Sequence, residues 1–266
     1  MTLANYSFVF NGLTIGNGTS FTVTNVEGLG GTSPLRIQDD NRGYIDGSYT
    51  GRDFYDERTV YIDVTVLGSG STTAQANYKI LQNAFAPQPI GYYPDPTGNT
   101  PAANQLKLFQ FRLNGNTGDM QMYGRSRGIQ TPINADFTYG YIQCRIMMSF
   151  PDPRYYDDTA TTVTGDLLLG LDNDGWATSC PLIEVPTPFT SGYITDGNVQ
   201  MDFGNIPSGS SMIIDTLQRV VYLDGYPVRN ILLASSNGWI SFDPNSTNIL
   251  SSTVGDMTVT YRNAYV

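Results

Sequence analysis

Nine consecutive residues, Thr59 to Leu67, alternate without a break. Val60, Ile62, Val64 and Val66 fall on one side, and Thr59, Tyr61, Asp63 and Thr65 on the other. A period of two built on β-branched residues specifies a strand with one buried face, and a chain that contains such a strand needs a sheet around it. The strand follows a loop, Asp39 to Arg58, with glycines at 43, 47 and 51. That loop mixes Arg42, Arg52 and Arg58 with Asp46, Asp53, Asp56 and Glu57, and it carries Tyr44, Tyr49, Phe54 and Tyr55. Aromatics beside both signs of charge on a long extended loop suit a surface that grips another protein. A decorated hairpin without a partner is the other reading.

Composition agrees with a mainly β chain. The 266 residues hold 28 Gly and 15 Pro, and Tyr and Thr are plentiful. One helix is expected. Ser71 or Thr72 can cap it, Ala74, Tyr78, Leu81 and Phe85 share a face, and Pro87 and Pro89 end it. A lone amphipathic helix needs an apolar partner, and a sheet face supplies one. Short strands are expected at 6–10, 21–26, 106–113 and 120–124, with a longer one at 137–150. The run Asn114-Gly115-Asn116-Thr117-Gly118 makes a hairpin turn between the third and fourth.

The sequence PDPRYYDD at 151–158 breaks this pattern, because closely spaced prolines cannot donate to a ladder. The boundary is therefore set at 152/153, giving domains 1–152 and 153–266. Beyond it, segments at 180–185, 199–203, 212–215, 219–223, 230–234, 239–242 and 257–261 are spaced by turns such as Asp224-Gly225. About seven short strands in roughly a hundred residues describe a β-sandwich.

Charge divides the chain at the same place. Residues 1–150 carry 10 Lys/Arg and 11 Asp/Glu, whereas 151–266 carry 4 Arg and 13 Asp/Glu. An acidic surface repels phosphate, so nucleic acid is not an expected partner. Residues 1–10 hold no Lys or Arg, and no apolar run approaches the roughly 20 residues that span a bilayer, so neither a basic leader nor a membrane segment is expected. Of the two cysteines, Cys144 shares a face with Ile142, Ile146 and Met148 and reads as a buried hydrophobe. A disulfide with Cys180 is not favoured.

Catalytic options are few. The chain contains no histidine, which excludes Ser-His and Cys-His relays and any His-ligated zinc site. No P-loop motif occurs, and the two lysines, Lys79 and Lys107, sit on a helix and a strand away from any obvious nucleophile. Paired carboxylates at Asp39/Asp40, Asp157/Asp158 and Asp172/Asp174 leave a glycosidase formally open, but Asp beside Gly, Asn or Pro is ordinary turn chemistry. The run Asp172-Asn173-Asp174-Gly175 resembles half a Ca²⁺ loop and lacks the downstream Glu. No catalytic residue, metal or cofactor is expected.

Several landmarks, taken in order, carry a resemblance. Gly51-x-Asp53-x-x-x-x-Arg58 leads into a hydrophobic strand ending at Gly68. Asp152-Pro153-Arg154-x-Tyr156 closes the first half. GNIPSGSSMIIDT at 204–216, a strand with a DG turn, and WISFDPNSTNIL at 239–250 follow. This order resembles the distal tail proteins of long-tailed siphophages. The resemblance implies an N-terminal ring-forming belt domain with one helix and a C-terminal galectin-like β-sandwich. It further implies a hexameric ring coaxial with the tail tube, in contact with the tube protein, the tail-tip hub and the tape-measure protein, within a virion assembled in the host bacterial cytoplasm.

Within that frame Asp46, Tyr49, Arg52, Asp53 and Arg58 are the expected subunit contacts, since planar Arg–carboxylate pairing fixes orientation. The alternative is a lectin-like module that recognises host-surface sugar by stacking on aromatics such as Trp176 and Trp239. A galectin-type sugar site normally includes a histidine, which this chain lacks. An enzyme is the third and weakest reading.

Overall fold

The computed structural model of the chain describes residues 3–37, 39–41, 46, 48–50, 54–87, 106–114, 118–132, 135–185, 188–206, 210–228, 231–233 and 235–266. It is mainly β, and its residues divide into two compact units, Met1–Tyr155 with Val266 and Tyr156–Tyr265. No helix among the described residues is long and apolar enough to cross a membrane.

Seven strands of the first unit lie side by side in the order Leu13–Gly16, Ser7–Phe10, Lys107–Arg112, Met120–Gln130, Tyr141–Phe150, Arg58–Leu67 and Phe21–Glu27. The alternating segment is central. Arg58–Leu67 pairs antiparallel with Tyr141–Phe150 over ten residues, from Tyr141↔Leu67 to Phe150↔Arg58. Its burial alternates as the sequence does, and Val60, Ile62 and Val66 are fully buried.

The helix Ser71–Ala84 covers that apolar face, packing on both long strands. Ala74, Leu81 and Phe85 are fully buried and Tyr78 packs beside them. Aromatic rings fill the remaining space, with Phe10 stacked on Phe85 at 5.1 Å and Phe109 against Phe150 at 5.4 Å. Each such ring contributes about 1.5–3 kcal/mol by leaving water.

Two expectations change here. The helix starts without a side-chain cap, with Gly70 in the N-cap position and Ser71 already helical. The chain instead passes close to the first turn: a Cβ on Gly68 would sit 2.2 Å from the Ala74 nitrogen, and Asn77 Nδ2 donates to the Leu67 carbonyl at 2.8 Å. The segment read as one strand from 137 opens instead as a 3₁₀ turn, Ala135–Tyr139, before the strand Tyr141–Phe150. On Lys107–Arg112 the buried face is Phe109 and Phe111, and Leu108 points outward.

The second unit is a β-sandwich. One sheet has the order Thr161–Gly165, Met257–Tyr261, Leu182–Val185, Met212–Asp215, Val220–Leu223, Tyr226–Val228. The other runs Leu167–Asn173, Ser246–Ser252, Gly192–Thr195, Gln200–Phe203. One core draws on both sheets, with Ile183, Met212, Ile214 and Val259 from the first and Leu168, Ile194, Phe203 and Leu250 from the second.

Two segments expected to be strands make only isolated bridges among the described residues, Leu232 to Phe203 and Phe242 to Ser179. The strands Leu167–Asn173 and Ser246–Ser252 were not anticipated. The two cysteines form no disulfide. Burial, aided by the charge of Asp63, pushes the Cys144 thiol up to about 12.

Candidate assembly surface

Between Phe21–Glu27 and Arg58–Leu67 the chain forms an arm. Its walls pair twice, Leu35–Arg36 with Phe54–Tyr55 and Asp39–Asn41 with Ser48–Thr50. Asp56 N–H donates to the Pro34 carbonyl at 2.9 Å, and the Arg36 guanidinium lies 5.4 Å from the centre of the Phe54 ring. Leu35, Ile37, Phe54 and Tyr55 are all exposed. A two-stranded hairpin is marginal by itself in water, and clustered exposed apolar side chains mark interaction surfaces. The arm has the chemistry of a contact element.

Its root is fixed by Arg58. This residue stands in phase with Val60, Ile62, Val64 and Val66, so the strand turns its side chain inward, where only 2 % stays exposed. Nη1 donates to the carbonyls of Gly28 at 2.9 Å, Leu29 at 3.2 Å and Gly31 at 3.1 Å. Nε donates to Pro153 at 2.9 Å, and that carbonyl also accepts from Ser33 Oγ at 3.4 Å. The guanidinium carbon lies 5.7 Å from the Tyr155 ring centre. Burial lowers its pKa and the neighbouring Tyr155 partly offsets that; an arginine starts so high that it stays a cation.

Gly28 makes the root possible. Its φ is +84°, and a Cβ there would lie 2.1 Å from the Thr59 carbonyl oxygen. One buried cation thus gathers both walls of the arm and the segment leaving the first unit.

This changes the reading of Arg58. Expected on the surface as a subunit contact, its side chain is spent within its own chain. Asp46 is exposed, Tyr49 pairs with Asp40 in the outer ladder, and Arg52 and Asp53 lie outside the described residues.

The sequence reading did not single out Arg145. On the outer face of the long strands it bonds Asp63 through Nε at 2.7 Å and Nη2 at 3.0 Å, and Glu27 at 2.9 Å. It also lies 5.3 Å from the Tyr61 ring centre. The bond from Arg145 pulls the Asp63 carboxyl below the usual range, and Asp63 raises the Arg145 pKa in return. The outward alternation of Tyr141, Gln143 and Arg145 opposite Asp63 was the available signal.

In the second unit Trp176 is exposed and meets Tyr265 edge-on at 4.7 Å, whereas Trp239 is half-buried against the core. The segment weighed as a cation loop is a structural corner. Asn173 is fully buried; its Nδ2 donates to Ala177 at 2.9 Å, Phe242 at 3.2 Å and Asp243 at 3.3 Å, while Oδ1 accepts from Gly175 and Ala264. Asp172 accepts from Thr247 Oγ1 at 2.6 Å, and Asp157 from Asn263 Nδ2 at 2.9 Å. Among the described residues no cluster of three metal-ligating side chains occurs.

This geometry can be compared with known structures. The SPP1 Dit (gp 19.1) protein, described as a paradigm of the hub adsorption apparatus in phages infecting Gram-positive hosts, superposes with a TM-score of 0.65 at 16% identity, covering 98% of this chain and 99% of that one. The chain has the fold of that protein. A chain of the phage P2 baseplate, in its activated conformation with Ca, matches at a TM-score of 0.50 and 7% identity over 94% of this chain and 93% of that one. No protein-family model and no curated protein matches the sequence. At so low an identity the likeness is one of fold, and it spans both units of this chain.

Proposed function

We propose that this chain is a structural subunit of a phage tail tip. Its first unit closes a homo-hexameric ring at the distal end of the tail. One face of the ring meets the tail tube protein, the other meets the tip hub, and the tape-measure protein lies in or near the lumen. The protein is made in the host bacterial cytoplasm and ends in the virion. Its mechanism is assembly and mechanical connection.

The observation that carries this reading is the match to the SPP1 protein over nearly the whole of both chains, which includes both units. The arm supports it independently. Leu35, Ile37, Phe54 and Tyr55 offer apolar area, and closed rings let neighbouring subunits cover strand edges. Asp46, Tyr49, Arg52 and Asp53 remain the proposed subunit contacts. Arg58 serves them from behind by fixing the root. For the second unit, protein docking is a better reading than sugar recognition, which would rest on Trp176 as the one well-exposed tryptophan.

Gold-labelled antibody against this chain, viewed by negative stain on particles that contain it, tests the placement. Label confined to the distal end of the tail is expected. Label along the tube or on the head would refute it.

A further inference from the structure

Among the described residues the sandwich has four outer edges, and two are protected. Tyr226–Val228 contains Pro227, which cannot donate to another strand. Gln200–Phe203 is covered by the chain itself, since Leu233 N–H donates to Asp202 at 2.9 Å, Asn237 N–H to Gln200 at 3.0 Å, and Asp202 N–H to Ser236 Oγ at 2.9 Å. Thr161–Gly165 is a third, polar edge, with Thr162 and Thr164 paired through their hydroxyls to Thr260 and Thr258 of the neighbouring strand.

The fourth edge differs. Among the described residues Leu167–Asn173 pairs only with Ser246–Ser252, and Leu168, Leu171 and Leu250 point into the core. The outward residues are apolar and open: Leu167 is 57 % exposed, Leu169 65 % and Ile249 51 %. A register shift between Leu168 and Leu171, with Gly170 at φ +71°, bends the strand. A bulge of this kind blunts indiscriminate pairing without closing the edge.

Charge identifies what fits there. The exposed acids Asp166, Asp172 and Asp174 bracket the leucines, and no Lys or Arg occurs between Arg154 and Arg219. A second copy of this unit would bring like charge to like, because residues 151–266 carry 13 acids and 4 arginines. We propose that Leu167–Asn173 is a docking strand for an extended, basic segment of another protein. That segment adds to the four-stranded sheet through main-chain hydrogen bonds and lays its apolar side chains on Leu167, Leu169 and Ile249. This goes beyond the ring assigned to the first unit and does not depend on it.

The test is amide hydrogen exchange of the full chain with two ten-residue peptides of the same alternating Val/Thr core, one flanked by lysines and the other by glutamates. The lysine peptide is expected to slow exchange across 166–172, with at least tenfold weaker binding by the glutamate peptide. Leu169→Lys, a change at an exposed position, is expected to weaken the lysine peptide tenfold or more. Equal effects of both peptides, protection elsewhere, or no protection at millimolar peptide would overturn the proposal. Protection of 166–172 that grows with protein concentration alone would also overturn it, by showing that a second copy covers the edge.

Discussion

Each unit ties down a stretch of irregular backbone with a buried polar side chain, but the two side chains solve different problems. Arg58 offers only donors, and it gathers four carbonyls from two loops at the base of the arm. Asn173 offers a donor and an acceptor, and it stitches a corner by serving carbonyls and N–H groups together. A cation held by carbonyls without a carboxylate leaves its charge uncompensated, and Arg58 Nη2 finds no hydrogen-bond partner among the described residues. The amide carries no charge and uses both ends. The arm is therefore rooted by a group that is costly to bury and costly to remove, and the sandwich corner by one that is only costly to remove.

The largest expected effect breaks the first member of this pair. Arg58→Met keeps much of the volume and strips the donors, leaving the carbonyls of Gly28, Leu29, Gly31 and Pro153 behind. A loss of about 3–5 kcal/mol is expected in the first unit's urea transition, with the second unit's transition unmoved. Arg58→Glu should fail to fold correctly in that region, so a missing ring from that variant would not report on a subunit contact. Asn173→Ala should cost about 2–3 kcal/mol, confined to the second unit's transition. If both variants move one shared transition, the two anchors do not act locally.

An exposed contrast sharpens the comparison. Arg145 also binds acids, yet it lies on an open face, so Arg145→Met should change stability far less than either buried variant. Its effect is better read by titration. In the native protein the Asp63 carboxyl is held below the ordinary value of about 3.9. Its stabilising contribution is therefore present above the unfolded value and is lost as pH falls through the depressed folded one. Carbon-detected NMR of the carboxyl should show it titrating at lower pH than in the methionine variant.

The smallest effect concerns the thiols. Cys144, raised to about 12 by burial, should resist alkylation at pH 8 in folded protein while half-buried Cys180 reacts first. With the unfolded value near 8.5, native stability should decline as pH rises from there toward the folded value.

Much of this architecture was legible in the residues. Thr59–Leu67 showed its strand because one face is buried and one is wet, and Ala74, Tyr78, Leu81 and Phe85 showed their helix by the same logic. Arg58 was misread because a basic residue in a loop full of acids looks like a surface contact. Its phase told otherwise, since it continues the inward series of Val60 and Ile62. The strand Leu167–Asn173 stayed hidden because the register shift between Leu168 and Leu171 breaks the period of two, and Asp172-Asn173-Asp174-Gly175 then reads as a turn. Trp239–Phe242 has strand-like residues but little ladder, because β-propensity reflects packing as much as pairing. Phe54 and Tyr55 were legible as contact aromatics from the charged loop around them, whereas Leu35 and Ile37 on the facing wall were not, because the same residues would also suit a core.

The central claim is that a subunit with this arm closes into a ring. Light scattering behind a sizing column, with negative-stain images of the peak, measures that directly on the purified full chain. Six copies per particle and six-fold rings are expected. A particle that stays a single chain at high concentration, with no rings in the images, would contradict the account.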